Sequence, residues 1–370
     1  MTENTIIRQS ENLLDMAGPM IEDMCQKIDR LYTDDQWRSF KKVILTGCGD
    51  SYIAGQAAYE AFQAFSGTSC DVMFTIDATY HLDPRRFNSS NYKTLAIGIS
   101  ISGTAAGTVK SMMACRDLGA ETLAVTENVN SALAKKCHMI LNHNSAENEV
   151  SPGTKTYFAS VITLLMIAIK FGLVNGRLTK EQADQIKADI VNYANAFKDN
   201  VAAINAQTAE IAKAFKDSTH FEFVGSGVDY STAWFGRAKI YEAVGLVSTA
   251  ENTEDWMHVN YYARKPKENV CIVIMSKGNT SNSRCMENIE AMAATGRPTM
   301  IITDTEDTFP EGMHVVRIPS AAKDYITPLL QFLPITLLCG HLAEEMNVPF
   351  FRGLAAPWGL NQGIRAVEGE

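Results

Sequence analysis

The stretch Lys42-Val43-Ile44-Leu45-Thr46-Gly47-Cys48-Gly49-Asp50-Ser51-Tyr52 reads as a short buried strand, a glycine turn and the start of a helix. The same order returns in His220-Phe221-Glu222-Phe223-Val224-Gly225-Ser226-Gly227-Val228-Asp229-Tyr230, where Gly225 answers Gly47 at an offset of 178 residues. Next, Lys93-Thr94-Leu95-Ala96-Ile97-Gly98-Ile99-Ser100 is answered by Asn269-Val270-Cys271-Ile272-Val273-Ile274-Met275-Ser276, an offset of 176. The third match pairs Gly119-Ala120-Glu121-Thr122-Leu123-Ala124-Val125-Thr126 with Gly296-Arg297-Pro298-Thr299-Met300-Ile301-Ile302-Thr303, an offset of 177. Three matched segments at nearly one period are two copies of one unit. Solenoid repeats are far shorter, so the period marks a domain duplication.

Within each copy the apolar runs alternate with stretches of helical period, for example residues 52–65, 108–118 and 283–294. Strands apolar on both faces and separated by helices predict a parallel sheet covered on both sides. The expected fold class is α/β: two tandem doubly wound parallel-sheet domains, flavodoxin-like α/β/α sandwiches that bind ligands at the carboxyl ends of their strands. The expected boundaries are an N-terminal helical segment at 1–40, a first domain at 41–175 and linking helices at 176–209. A second domain at 210–345 and a tail at 346–370 complete the chain.

The chain of 370 residues is 46% hydrophobic and 20% charged, which is ordinary for a globular protein with a substantial core. Its 33 basic and 42 acidic residues give a net charge of −9, and no basic block offsets it. Nucleic acid and anionic membranes are therefore poor partners. The first eight residues lack a basic start followed by an apolar signal core, and the apolar stretch 160–172 is too short to span a bilayer and contains Lys170. The eight cysteines include no C-x-x-C pair, and Cys137-His138 has no second pair to complete a zinc site. The expectation is a cytoplasmic protein with reduced thiols and neither metal nor other cofactor.

Two loops of the first copy are suited to an anion. Gly47-Cys48-Gly49-Asp50-Ser51 opens a helix, so free N–H groups and the helix dipole converge on one point. Ser100-Ile101-Ser102-Gly103-Thr104 follows the next apolar run and supplies hydroxyls. Either loop alone reads as a tight turn; together, at successive strand ends, they form a phosphate cradle that needs no arginine. Neither the Gly-x-Gly-x-x-Gly fingerprint nor the lysine-containing P-loop is present, so no nucleotide cofactor is indicated.

These loops, followed by Glu149-Val150-Ser151-Pro152-Gly153-Thr154-Lys155, resemble the sugar-isomerase (SIS) domain family. The likeness is greatest to the isomerase half of glucosamine-6-phosphate synthase and to fructosamine-6-phosphate deglycases. It implies sugar-phosphate binding by Cys48, Gly49, Asp50, Ser51, Ser100, Ser102, Thr104, Val150 and Ser151. Asp50 and Ala105 depart from the family pattern, which carries a hydroxyl at both places.

In the second copy, Lys239 and Glu242 stand three apart on one helix face. Read alone they are a surface salt bridge, and His258 a core or interface residue. The family motif carries Lys and Glu at these places and a His sixteen positions later, where this chain has His258. The resemblance implies that Glu242 carries a proton between C1 and C2, that His258 protonates the ring oxygen and that Lys239 stabilises developing charge. It also implies a homodimer or larger oligomer in which His258 serves a neighbouring subunit's site.

The synthase pattern has a tail lysine four residues after an arginine. Here Arg352 is followed at that distance by Ala356, and no glutaminase segment is expected ahead of the repeats. Deglycase or ketose–aldose isomerase chemistry on a fructosamine-type or keto hexose 6-phosphate fits better than glutamine-dependent synthesis. A glucosamine-6-phosphate deaminase/isomerase and a non-catalytic sugar-phosphate sensor are the alternatives; the acidic N-terminal segment argues against a DNA-reading regulator.

Overall fold

The computed structural model describes residues 4–84, 87, 93–145, 151–351 and 358. The fold is α/β, with two parallel five-stranded sheets. The first comprises β1 (Phe40–Gly47), β2 (Ser69–Phe74), β3 (Lys93–Ile99), β4 (Glu121–Val125) and β5 (Met139–Leu141), in the order β2-β1-β3-β4-β5. The second comprises β6 (His220–Val224), β7 (Val247–Glu251), β8 (Asn269–Met275), β9 (Thr299–Thr303) and β10 (His314–Arg317), in the order β10-β9-β8-β6-β7. Matched strand for strand, the two orders are the same, and both are the doubly wound arrangement of flavodoxin.

The duplication extends to local geometry. Gly49 has φ +56° and ψ −126°, and Gly227 has φ +56° and ψ −127°. Helices Asp50–Ala61 and Val228–Lys239 each pass into a five-residue π-helical turn, Phe62–Ser66 and Ile240–Val244. Each turn stops at a left-handed glycine, Gly67 or Gly245.

By contacts the described chain forms two compact units. One contains residues 16–145 and 155–188 and the first sheet; the other contains residues 4–15, 151–154 and 189–351 and the second. In the first unit Ile44, Ala96 and Ala124 from the strands pack against Val109, Met112 and Cys115 from helix Ala106–Asp117. In the second, Val224, Val273 and Ile301 pack against Cys285, Ile289 and Met292 from helix Asn282–Thr295. One continuous 36-residue helix, Lys180–Phe215, runs through the stretch read as linking helices at 176–209 and past its expected end.

One reading needs correction. The apolar stretch at 160–172 lies in a 20-residue helix, Lys155–Val174, which is long and apolar enough to cross a membrane, as is the helical stretch Asp324–Glu345. Burial explains both: 89% and 94% of their apolar windows are covered by protein, as in core helices.

Candidate active site

At the end of β1 the backbone turns sharply. A Cβ at Gly47 would stand 2.6 Å from Ser51 Cβ and 2.9 Å from the Ile99 carbonyl oxygen, so the turn closes only on glycine. Gly47 lies opposite Ile99 in the parallel ladder. The loops Cys48–Ser51 and Ser100–Thr104 therefore leave the sheet side by side. Cys48 Sγ lies 3.6 Å from both Thr75 Oγ1 and Thr108 Oγ1, linking the first loop to helices that follow β2 and β3. Ser100 is buried and donates its N–H to the Val125 carbonyl at 3.0 Å. At the surface, the Ser102 and Thr104 hydroxyls share a hydrogen bond of 2.8 Å. The structure thus brings Cys48, Gly49, Asp50, Ser51, Ser100, Ser102 and Thr104 to the carboxyl ends of two adjacent strands, β1 and β3. Half-buried Ser151 belongs to the other unit, and Val150 lies outside the described residues.

The second copy keeps the frame and changes its contents. Ser226 and Thr253, the counterparts of Cys48 and Thr75, share a hydrogen bond of 2.7 Å. Where the first copy has Ser51, the second has Asp229, which is fully buried. Its Oδ2 accepts from the Ser276 N–H at 3.0 Å and from Asn279 Nδ2 at 2.7 Å, while Oδ1 accepts from Gln331 Nε2 at 2.7 Å. Burial pushes this carboxyl above the usual range, against the pull of those donors. A carboxylate of the chain itself thus takes the strand-end N–H and amide donors in the second copy.

Lys239 and Glu242 sit where helix Val228–Lys239 becomes the π turn. Lys239 is 1% exposed, lies over the Phe235 ring at 4.8 Å and places Nζ 2.5 Å from Glu242 Oε2. Glu242 remains 37% exposed. A fixed cation behind a half-open carboxylate holds the carboxylate in place while leaving it reachable by a ligand, which suits a proton carrier. Ala61 and Ala64 occupy the equivalent places in the first copy, so the charge pair is an addition to the shared scaffold.

His258 ends the short helix Thr253–His258. Its ring is 65% exposed, with Nε2 3.0 Å from Glu254 Oε1. Hydrogen bonds from His258 and Arg284 hold the Glu254 carboxyl below its ordinary range. Glu242 bonds Lys239 and His258 bonds Glu254; the two candidate groups are not hydrogen-bonded to each other. Among the described residues, no group of three or more His, Cys, Asp or Glu side chains is placed to hold a metal ion.

Residues 38–170 match the family model described as the SIS domain. They are a SIS domain. The second copy repeats the strand order of that SIS domain.

Over 319 residues the chain is 25% identical to the glutamine–fructose-6-phosphate aminotransferase [isomerizing] of Methanosarcina acetivorans, covering 85% of this chain and 50% of that protein. Against the same-named protein of Shewanella oneidensis the identity is 25% over 318 residues, covering 83% and 49%. The chain therefore spans about half the length of the curated relatives it matches.

Among solved structures, the C-terminal domain of glucosamine-fructose-6-phosphate aminotransferase from Francisella tularensis superposes with a TM-score of 0.81 at 17% identity. That match covers 93% of this chain and 98% of the other. Tagatose-6-phosphate ketose/aldose isomerase from Escherichia coli gives 0.71 at 14%, covering 96% of each chain. Both likenesses show a shared fold of two tandem α/β domains.

Sequence reasoning missed Thr75, which faces Cys48 in the first SIS loop, and Asp229, whose carboxylate fills the equivalent place in the second copy. An offset of 178 residues from Ser51 pointed to Asp229, but an aspartate after a glycine turn reads first as a helix cap.

Proposed function

We propose that the chain is a phosphosugar isomerase or deglycase acting on a keto or fructosamine-type hexose 6-phosphate. The observation that carries this reading is the Lys239–Glu242 pair, a buried cation behind a half-open carboxylate in the copy whose own anion loop is filled by Asp229. In this account the first copy holds the phosphate, through Ser100, Ser102, Thr104 and the Cys48–Ser51 turn. Ser151 and Val150 complete the substrate contacts.

Glu242 takes a proton from C1 of the open-chain sugar and returns it to C2 through an enediol or, for a fructosamine, an enolamine. With a ketose, the carbonyl moves to C1 and an aldose results. With a fructosamine, reprotonation at C2 leaves an imine at C1, and water adds to it, releasing the amine and the aldose 6-phosphate. His258 gives a proton to the ring oxygen as the furanose opens, and Lys239 steadies the negative charge that develops on oxygen. The site is shared in a homodimer or larger oligomer, with His258 serving a neighbouring chain. Ala356, at the place of the synthase lysine, supports isomerisation or deglycation over Schiff-base synthesis.

The test is a panel of hexose 6-phosphates and fructosamine 6-phosphates incubated with the protein and read by chromatography coupled to mass spectrometry, which separates isomers of equal mass. Conversion of at least one member to its aldose 6-phosphate is expected. Tight binding across the panel with no conversion of any member would replace the enzyme by a sugar-phosphate sensor.

A further inference from the structure

The segment around His258 is held from both sides by one buried ion pair. Two residues before it, Trp256 is fully buried, and its indole N–H donates to Glu222 Oε2 at 2.8 Å. Two residues after it, the Asn260 carbonyl accepts from Arg297 Nη2 at 2.6 Å. Arg297 closes the loop by donating Nη1 to the same Glu222 oxygen at 3.1 Å and by stacking its guanidinium 5.1 Å from the Trp256 ring centre. Glu222 lies on β6, and the Glu222 and Arg297 side chains are 3% and 0% exposed. Between these anchors the His258 ring is 65% exposed. Its backbone is fixed, and its exposed ring is bonded to Glu254.

We infer that Arg297, together with Glu222 and Trp256, is a positioning device for His258; the inference rests on the proposed role of His258 as a proton donor. The duplication supplies the control. At the matching offsets the first copy has Ile44 for Glu222, Ala78 for Trp256 and Ala120 for Arg297, all buried and apolar, with Tyr80 at the place of His258. The same strand order and the same short helix after the second strand therefore form without a buried charge at these three places. Taking a guanidinium and a carboxylate out of water is costly, and an apolar filling is often as stable or more so. The ion pair appears only in the copy with the histidine, and besides its bonds to Asn269 and Cys271 on β8 it bonds both flanks of that residue. Small displacements of a reacting group cost up to about a hundredfold in rate, so an anchor at both ends of the segment has a use that fold stability alone does not explain.

The test uses the full chain with Trp256→Phe, which keeps the ring and removes one N–H, and Arg297→Lys, which keeps the charge and loses the fork. Both are compared with His258→Ala by thermal unfolding, by kinetics on the sugar 6-phosphate that the panel shows to be converted, and by NMR of histidine-labelled protein. Each variant is expected to lower kcat by about tenfold or more while KM stays within about twofold. Each should also shift the limb of the kcat–pH profile that disappears in His258→Ala, and move the His258 ring resonance. Folded variants with wild-type kcat and an unmoved His258 resonance overturn the inference. If His258→Ala keeps full activity, the proposed role of His258 falls instead. The ring resonance in the two variants then still decides whether Arg297 and Trp256 position it.

Discussion

Lys239 Nζ lies 2.5 Å from Glu242 Oε2, and the two partners are unequally buried, at 1% and 37% exposure. The pair is therefore neither an exposed surface bridge, which contributes little, nor a sealed core pair that no ligand could reach. The lysine is desolvated and needs its counter-charge; the carboxylate keeps an open side. In the first copy Ala61 and Ala64 stand at the matching places, where helix Asp50–Ala61 becomes the π turn Phe62–Ser66, so the turn belongs to the shared scaffold and the charge pair to the second copy. The burial of Cys339 against this pair pushes its thiol well above the usual range, so that it is a neutral, apolar neighbour.

Phosphate binding is assigned to the first copy's loops, so replacing Ser100 and Ser102 together by Ala should raise the Kd for fructose 6-phosphate by at least about a hundredfold. A hydrogen bond to a charged group contributes roughly 1.5–3 kcal/mol. Calorimetry measures this directly, and Cys48, the exposed member of the eight cysteines, gives a second readout. Bound sugar phosphate should slow its reaction with a maleimide. Unchanged affinity and unchanged labelling would move the phosphate away from these loops.

The second copy's loop is closed by Asp229, so wild-type protein should bind one sugar phosphate per chain. Replacing Asp229 by Ala strands the donors of Ser276 and Gln331 in the core and takes one of two acceptors from half-buried Asn279. An unsatisfied buried donor costs about 1–3 kcal/mol, and denaturant unfolding should show a loss of at least about 3 kcal/mol. Two phosphates per wild-type chain would contradict the assignment.

Much of this was legible in the sequence, and what was not has identifiable causes. Central strands such as Lys93–Ile99 and Asn269–Met275 are covered on both faces and read as unbroken apolar runs. The edge strands Ser69–Phe74 and Val247–Glu251 pair on one side only. They carry Asp71, Ser248 and Glu251 among their apolar residues, which hides their period. Lys239, Glu242 and His258 are proposed from the spacing of the family motif they resemble. The acceptors and anchors, Asp229, Glu222 and Arg297, could not be found that way, because a buried charge is chosen by partners distant in sequence. Glu222 and Arg297 stand 75 residues apart.

His143 is another buried group with no sequence signal. It is fully buried, and burial, together with the nearby Lys27 charge, pushes its pKa down to about 4. Glu127 lies 3.9 Å away, but its Oε1 already accepts from the Ser145 N–H and hydroxyl. The unfolded ring titrates near its ordinary value of about 6.5. Between about pH 6.5 and pH 4 the unfolded chain therefore binds a proton that the native chain does not. The stability that the neutral ring contributes is complete at pH 7 and is lost as the pH falls through that window. The stability difference between wild type and His143→Gln should shift by about 2–3 kcal/mol between pH 7 and pH 4.5. Parallel urea-unfolding curves at the two pH values would remove His143 from the account.

A shared site predicts complementation. Glu242→Gln and His258→Ala chains, each inactive alone, should regain about a quarter of wild-type turnover when mixed, since half of randomly formed dimers would contain one intact site. Confirmed subunit exchange without recovered turnover places both residues in one chain's site.

The central claim is that Glu242 carries the proton. The most direct measurement is steady-state turnover of Glu242→Gln on the sugar 6-phosphate that wild type converts, with Kd measured alongside. The account predicts that kcat falls by about two to four orders of magnitude, the range for removing a general base, while the sugar phosphate still binds with near wild-type affinity. A kcat within a few-fold of wild type would contradict it and leave the Lys239–Glu242 pair as a structural feature only.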